Sequence, residues 1–480
     1  MRKHQFMNAV FILLGMALCG SLCAQEAAAP VRLTPDEAVD MALKNNLSLE
    51  SARASSGTKK RASDLSWNQF IPSVTLGASL VHENSRIFLQ DESDISPVIF
   101  EALKQQMPLE STRWGIATPI QASLSLSVAM IENMNRLRLD YEGGMIAYDK
   151  AKIQIERDVR KAYNSMLLLQ ENINLLKESF EAAGRRVAMA RANYNAGLAP
   201  ELTLLQAQVA MENMKPTIDQ VENGFRISMA QFAMFLGLPY DTPFELIPAE
   251  NEHAFIPLDV RELISKAASG KPDIRELRHN ILLLQSARKT QSRALLPSLT
   301  LSWNTTPYFF LDPKPETTIN LANPTASTIN PERNLTNQFT ISLGLRLHSL
   351  IPFSPDFQGI KNMDDQIRTA TIGLAQLIRG TEIEIYNTIL SLEKTQATTE
   401  AQTQTVDLAE RAYRLTEQAY RSGLQDLLQV QNAELELKQA KVSMLEQQFN
   451  YLNGLLDLEY AIGVPFGTLV SNGNLSKESE

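Results

Sequence analysis

Four stretches of the chain alternate strictly between apolar and small polar residues. In the first, Val74, Leu76, Ala78 and Leu80 interleave with Ser73, Thr75, Gly77 and Ser79. In the second, Ala122, Leu124, Leu126 and Val128 interleave with Gln121, Ser123, Ser125 and Ser127. The third sets Leu299, Leu301 and Trp303 against Ser298, Thr300 and Ser302. The fourth sets Phe339, Ile341, Leu343, Leu345 and Leu347 against Thr340, Ser342, Gly344, Arg346 and His348. A period of two puts the apolar side chains on one face of a strand and the polar ones on the other. The pattern predicts strands near residues 72–81, 119–130, 297–310 and 337–348. About ten residues suits a tilted strand crossing a bilayer. A soluble antiparallel sheet on a core would alternate too, and the strands alone leave both readings open. The loops inside the two pairs, 83–113 and 312–337, are long, as outer-membrane barrels have them.

Elsewhere the period is helical. Val159, Ala162, Met166, Leu169, Ile173, Leu176, Phe180, Ala183, Val187, Ala190 and Tyr194 step by three and four. This heptad seam predicts a helix over about 132–195, on the order of 95 Å long. Gly143 and Gly144 are expected to kink it or delay its start. A second long helix is predicted over 356–421, with a polar stretch KTQATTEAQTQTV that points to water, outside or in a lumen. Return helices are predicted over 201–236 and 425–462. Gly197 and Gly423 stand where the long helices reverse, after Tyr194 and Tyr420 and before Leu198 and Leu424, with Pro200 supporting the first break. Each is a helix-ending turn, and an exposed hairpin tip is also a candidate partner contact.

The two halves repeat one another. At an offset of 225, Glu37, Ala42, Arg53, Pro72, Ser73 and Thr75 fall on Glu262, Ala267, Arg278, Pro297, Ser298 and Thr300. NYNAGLAPELTLLQAQ falls on AYRSGLQDLLQVQNAE at an offset of 226, and FLGLP on AIGVP. These pairs imply a tandem duplication into residues 25–246 and 247–470, followed by a tail over 471–480. Each half opens with a short helix, and Thr34 before Pro35 is a good N-cap. If the four strands lie in lipid they cannot close a barrel, since common membrane barrels use about eight or more. Open edges leave unpaired N–H and C=O groups that each cost several kcal/mol. Other copies of the chain must then complete the sheet.

Arg2, Lys3 and His4 precede an apolar run from Phe6 to Leu18 and a stretch of small residues. This reads as a signal peptide over residues 1–24; the run is short for a membrane anchor. Both cysteines, Cys19 and Cys23, fall inside it, so the mature chain has no thiol for disulfides, catalysis or zinc. Lipidation at Cys23 is a lesser alternative, because Leu22 sits where a small residue is wanted. No later segment is apolar enough for a membrane helix. A net charge of −9 with no basic patch argues against nucleic acid. The histidines, including His82, His253, His279 and His348, have no metal-ligand spacing. No phosphate loop or nucleophile elbow is present, so no enzyme, cofactor or metal is expected.

Taken in order and twice over, the Y-x-x-G-L turns with the L-x-x-L-L-x-A-Q run of residues 194–208, the LPSL strand start and the GVP end resemble the TolC-type outer-membrane efflux proteins. The resemblance covers nearly the whole mature chain. It implies an α+β membrane protein: long helical coiled coils forming a periplasmic helical barrel, and four transmembrane strands per protomer in a shared twelve-stranded barrel. It implies a homotrimer in outer-membrane lipid, a passive exit duct for a tripartite efflux pump or a type I secretion system. Its partners would be a periplasmic adaptor and an inner-membrane transporter, with the adaptor meeting the hairpin tips. In that family acidic residues often line a constriction after the second turn. Those places fall near Gln429 and Asn432, with Asp426 and Glu434 the nearest carboxylates. A ring of neutral amides selects less by charge than a carboxylate ring. The alternative is a periplasmic coiled-coil adaptor or scaffold, which need not place four apolar strand faces at membrane-spanning length.

Overall fold

A computed structural model describes residues 31–86, 110–247, 259–310, 316–319, 326–329, 336–347, 351–422 and 424–469. The expected signal peptide with Cys23, the 471–480 tail, Gly423, His253 and His348 lie outside the described residues. In chain order the first half contains β1 (Val31–Leu33), α1 (Pro35–Asn45), α2 (Leu47–Asp64), β2 (Ser73–Leu76), β3 (Ser79–Arg86), β4 (Glu110–Ala117), β5 (Ile120–Leu126), α3 (Val128–Asn195), α4 (Glu201–Phe235) and β6 (Phe244–Leu246). The second half contains α5 (Val260–Gly270), α6 (Pro272–Arg293), β7 (Ser298–Thr306), β8 (Tyr308–Phe310), β9 (Glu316–Ile319), β10 (Ala326–Ile329), β11 (Thr336–Gly344), α7 (Pro355–Arg421) and α8 (Leu427–Ile462). Two compact units result, and each takes segments from both halves of the chain.

One unit draws on Ser55–Met145 and Glu276–Leu374 and holds strands β2–β5 and β7–β11. The four alternating stretches form one antiparallel sheet in the order β11-β7-β5-β2. Its register sets like against like. Val74 faces Ala122, Leu126 faces Leu299, and Leu301 faces both Leu124 and Ile341. On the other face Ser73 meets Ser123, and Ser302 meets Ser123 and Thr340. A slip of one residue would put apolar beside polar along every strand, so the alternation itself specifies the register.

The ribbon runs beyond the alternating stretches. Pro119 and Pro307 offer no N–H and interrupt the ladder. Gly77 N–H donates to the Pro119 carbonyl and Thr118 N–H to the Pro307 carbonyl, both at 2.9 Å. Pairing then resumes in unchanged register through β3, β4 and β8. Residues 83–86 and 110–113, expected as loop, are therefore strand. Backbone pairing continues there without alternation, because main-chain hydrogen bonds impose no hydrophobic pattern. At the other end the pattern overshoots: Val128 starts α3 and Leu345 lies past β11. Gly143 and Gly144 neither delay nor interrupt α3, which starts at Val128 and runs on through both. They grant clearance instead, since a Cβ would come 2.8 Å from the His279 ring at Gly143 and 2.9 Å from Lys59 Cδ at Gly144.

The other unit draws its described residues from Met1–Ala54, Ile146–Arg275 and Ala375–Glu480. Helix α1 opens with a capping box: Glu37 N–H donates to Thr34 Oγ1 at 3.3 Å, and Thr34 N–H donates to Glu37 Oε2 at 2.8 Å. Its buried face joins a core that includes Ala38, Ala42, Val159, Tyr163, Met166, Phe232 and Leu236. The Tyr163 hydroxyl sits 2.7 Å from the Leu33 carbonyl and accepts from Ile247 N–H at 2.9 Å, tying the parallel β1–β6 pair to α3. Burial pushes this phenol up to about 12. A second core contains Leu263, Ala267, Ile385, Ile389, Leu392, Leu458 and Ile462.

The helices feeding each core end alike. Gly237 has φ +77° and Gly463 φ +78°, the left-handed conformation that favours glycine. A Cβ at Gly237 would meet the Asn45 carbonyl, and one at Gly463 the Gly270 carbonyl. Each return helix thus ends pressed against the C-terminus of a short opening helix. After Gly463 the chain folds over Glu459, which is 1% exposed. That carboxylate accepts from Gly467 N–H at 3.0 Å and Leu469 N–H at 2.9 Å.

Candidate functional site

Two regions carry exposed apolar side chains: the hairpin turns and one face of the sheet. At the first turn, Gly197 has φ +74° with open space around its missing Cβ. Leu198 N–H donates to the Asn193 carbonyl at 2.8 Å and Gly197 N–H to the Tyr194 carbonyl at 2.9 Å, a Schellman-type close of α3. Pro200 then caps α4. At the second turn Leu424 N–H donates to the Ala419 carbonyl, also at 2.8 Å. The rigid turns leave their leucines outside: Leu198 is 78% exposed and Leu424 79%. Leu202, Leu205, Leu428 and Leu435 extend this exposed apolar surface along α4 and α8.

The two tyrosines part company. Tyr194 is 41% exposed, whereas Tyr420 is buried with Ala190, Ala207, Leu427 and Val430. Tyr420 therefore holds the two hairpins together and is not open to a partner. Burial raises its phenol above the ordinary value.

The four residues expected at a constriction also separate. Gln429 and Asn432 are exposed on α8. Asp426 is the N-cap of α8, its carboxylate accepting Gln429 N–H at 3.0 Å. Glu434 turns the other way, into a half-buried ion pair with Arg186 of α3. Arg186 also reaches the Tyr413 hydroxyl of α7 at 3.5 Å. Burial raises the Glu434 carboxyl above the ordinary range, outweighing the pull of Arg186. The exposed stripe carrying Gln429 and Asn432 continues at Glu436, also exposed, at helical spacings of three and four. So the carboxylate that shares their face is Glu436, which the spacing alone would have found. The Arg186–Glu434 pair spans 248 positions, and no local pattern announces it.

The polar stretch of α7 is self-sufficient. Thr395, Thr398, Thr399, Thr403 and Thr405 donate their hydroxyls to the carbonyls four residues back, at 2.7–2.9 Å. These hydroxyls therefore need no further partners.

Among the described residues, no protein covers the apolar sheet face. Val74 is 68% exposed, Ile341 63% and Leu343 75%. In a soluble sheet these residues would form the core. The outer edges of the sheet, β2 and β11, pair with no further strand among the described residues. Among those residues no group of metal-ligating side chains is found and no helix is long and apolar enough to cross a membrane. The second statement does not bear on strands.

Residues 38–238 match the outer membrane efflux protein family. Nodulation protein T of Rhizobium leguminosarum bv. trifolii is 22% identical over 340 residues, 68% of this chain and 66% of that protein. The match thus spans just under two thirds of the relative's length. The fold is similar to the Campylobacter jejuni CmeC outer membrane channel, with TM-score 0.69 and 15% identity over 93% of this chain and 89% of that one. It is similar also to the outer membrane protein VceC of Vibrio cholerae, with TM-score 0.65 and 15% identity over 90% and 96% of the two chains. Part of the chain thus carries the pattern of that family, and the fold is similar to that of the outer-membrane channels named.

Proposed function

We propose that this chain is an outer-membrane efflux protein, a reading supported by the match of residues 38–238, and that it is one of three identical protomers of an exit duct serving a tripartite pump or type I secretion system. The observation that carries the reading is a four-stranded sheet with an uncovered apolar face and two open edges. Lipid covers such a face at no cost, and only neighbouring strands satisfy such edges. The pairing order makes β2 and β11 antiparallel to each other. Copies joined edge to edge therefore continue the alternation, and three give twelve strands. The helical unit extends into the periplasm.

A tandem duplication underlies the protomer. Ala42 and Ala267, Val159 and Ile385, Tyr163 and Ile389, and Phe232 and Leu458 occupy like places in the two cores at offsets of 225 or 226. Gly237 and Gly463 do the same at the helix ends. The exposed leucines at the two turns are the contact for a periplasmic adaptor, which couples the duct to an inner-membrane transporter. Gln429 and Asn432 face the narrowest part of the lumen. Against a soluble scaffold stands the bare apolar face, which such a protein would have to bury.

The mature chain has no cysteine, so engineered pairs report cleanly. Cysteines placed singly along Ser73–Leu76 and Thr336–Gly344 should crosslink between copies in a ladder that stops at trimer. Gln429→Glu and Asn432→Asp should raise cation selectivity in bilayers. A ladder that stops at dimer, or purified protein that passes no current, would overturn the proposal.

A further inference from the structure

The helical unit contains a half-open cavity of about 220 Å³ where single faces of α3, α7 and α8 converge. Its charges do not balance. Glu434 on its wall is taken by Arg186. Arg185, Arg414, Lys438 and Lys441 remain, and none of the four is in an ion pair among the described residues. Only two other carboxylates line it, Glu178 and Glu410, leaving a surplus of two positive charges in a chain of net charge −9. The uncharged part of the wall is Leu175, Ala182, Leu437 and Tyr413, with Ser179 beside them. Cations that repel one another beside apolar side chains are what an organic anion needs: charge for its head, contact area for its body.

We propose that this cavity binds a small organic anion, an aromatic or short aliphatic carboxylate, with Arg414 and Lys438 on the carboxylate and Leu437 and Tyr413 against the hydrocarbon. The site lies wholly within one unit, so the proposal does not rest on the channel reading or on trimer formation. Guanidinium and ammonium groups that receive a carboxylate give charge-assisted hydrogen bonds, about twice as strong as neutral ones. Removing two of them should therefore weaken binding well over tenfold.

The test uses the full mature chain in a nonionic detergent, with 4-fluorobenzoate as probe and fluorine NMR as readout. Saturable binding is expected at about 1 mM or below, the range a ten-atom ligand reaches. Arg414→Gln with Lys438→Gln should weaken it at least tenfold, and so should replacing the probe by neutral 4-fluorobenzyl alcohol. Arg411→Gln, an exposed change on α7 outside the cavity, should leave binding unchanged. Lys441→Gln alone should give an intermediate loss. Circular dichroism checks that each variant keeps its helices. Binding equal to that of empty micelles, binding unaffected in the double variant, or sulfate binding as tightly as 4-fluorobenzoate would overturn the proposal.

Discussion

Replacing Arg186 by methionine isolates the buried ion pair that joins the two hairpins. The Arg186 side chain is 7% exposed and that of Glu434 16%. Removing one partner of such a pair leaves an uncompensated charge, at a cost of about 3–5 kcal/mol. Here the lower end applies. Glu434 borders the cavity, and Lys438 and Arg185 still act on it. A loss of about 3 kcal/mol corresponds to roughly 150-fold in a local opening equilibrium. Amide hydrogen exchange should show that loss of protection on α3 near residue 186 and on α8 near residue 434, but not in the sheet. Lowering the pH should relieve it. The Glu434 carboxyl is already raised by burial; without Arg186 it rises further, and the protonated acid is neutral. The penalty therefore shrinks from pH 7.5 towards pH 5. Arg186→Met with Glu434→Leu removes both charges and should return to within about 1 kcal/mol of the native protein. Protection in Arg186→Met within fivefold of native, or a double variant as exposed as the single one, would show that the Arg186–Glu434 pair does not hold the hairpins together.

Gly463→Ala adds a left-handed backbone penalty of roughly 1–2 kcal/mol to a clash with the Gly270 carbonyl; a fall in the thermal midpoint of the helices checks it, and an unchanged midpoint would contradict the packing. For Glu459, burial raises the folded carboxyl above its ordinary 4.5. The folded state thus binds the proton more tightly, and the stabilisation is fully present below about 4.5 and lost as pH rises through the folded value. The stability difference between the native protein and Glu459→Gln should follow that slope between pH 4.5 and 7, and a pH-independent difference would count against it. On β11, Ile341→Lys puts a charge on the exposed apolar face that the proposal gives to lipid, at about 2–4 kcal/mol, and should deplete the assembled form on detergent gels. Ser342→Lys, one residue along on the opposite face, should assemble and alter conductance; equal effects from both would remove the lipid assignment.

Local periodicity carried the elements. An alternation of two and a heptad seam are properties of consecutive residues, so strands and long helices could be read without knowing what they touch. The strand ends could not, because pairing beyond Pro119 and Pro307 depends on a register shared with distant segments. Thr34 and Pro35 announced their cap because an N-cap acts within four residues. Gly143 and Gly144 misled for the opposite reason: their purpose is clearance for His279 and Lys59, which arrive from other helices.

The same division runs through the candidate site. Gly197, Pro200 and the exposed leucines follow from a turn that hydrogen-bonds to itself, and the chain order alone locates them. Tyr194 and Tyr420 look equivalent in sequence, yet one is exposed and the other buried, since only three-dimensional packing sets which face of each hairpin is covered. Gln429 and Asn432 could be found by resemblance. The Asp426 cap and the place of Glu436 beside them are local, set by a three-residue hydrogen bond and by helical spacing, whereas the ion pair of Glu434 with Arg186 was decided by the packing of α8 against α3. Short-range hydrogen bonding and side-chain period are encoded residue by residue; which charge is buried, and beside what, exists only once segments hundreds of positions apart have met.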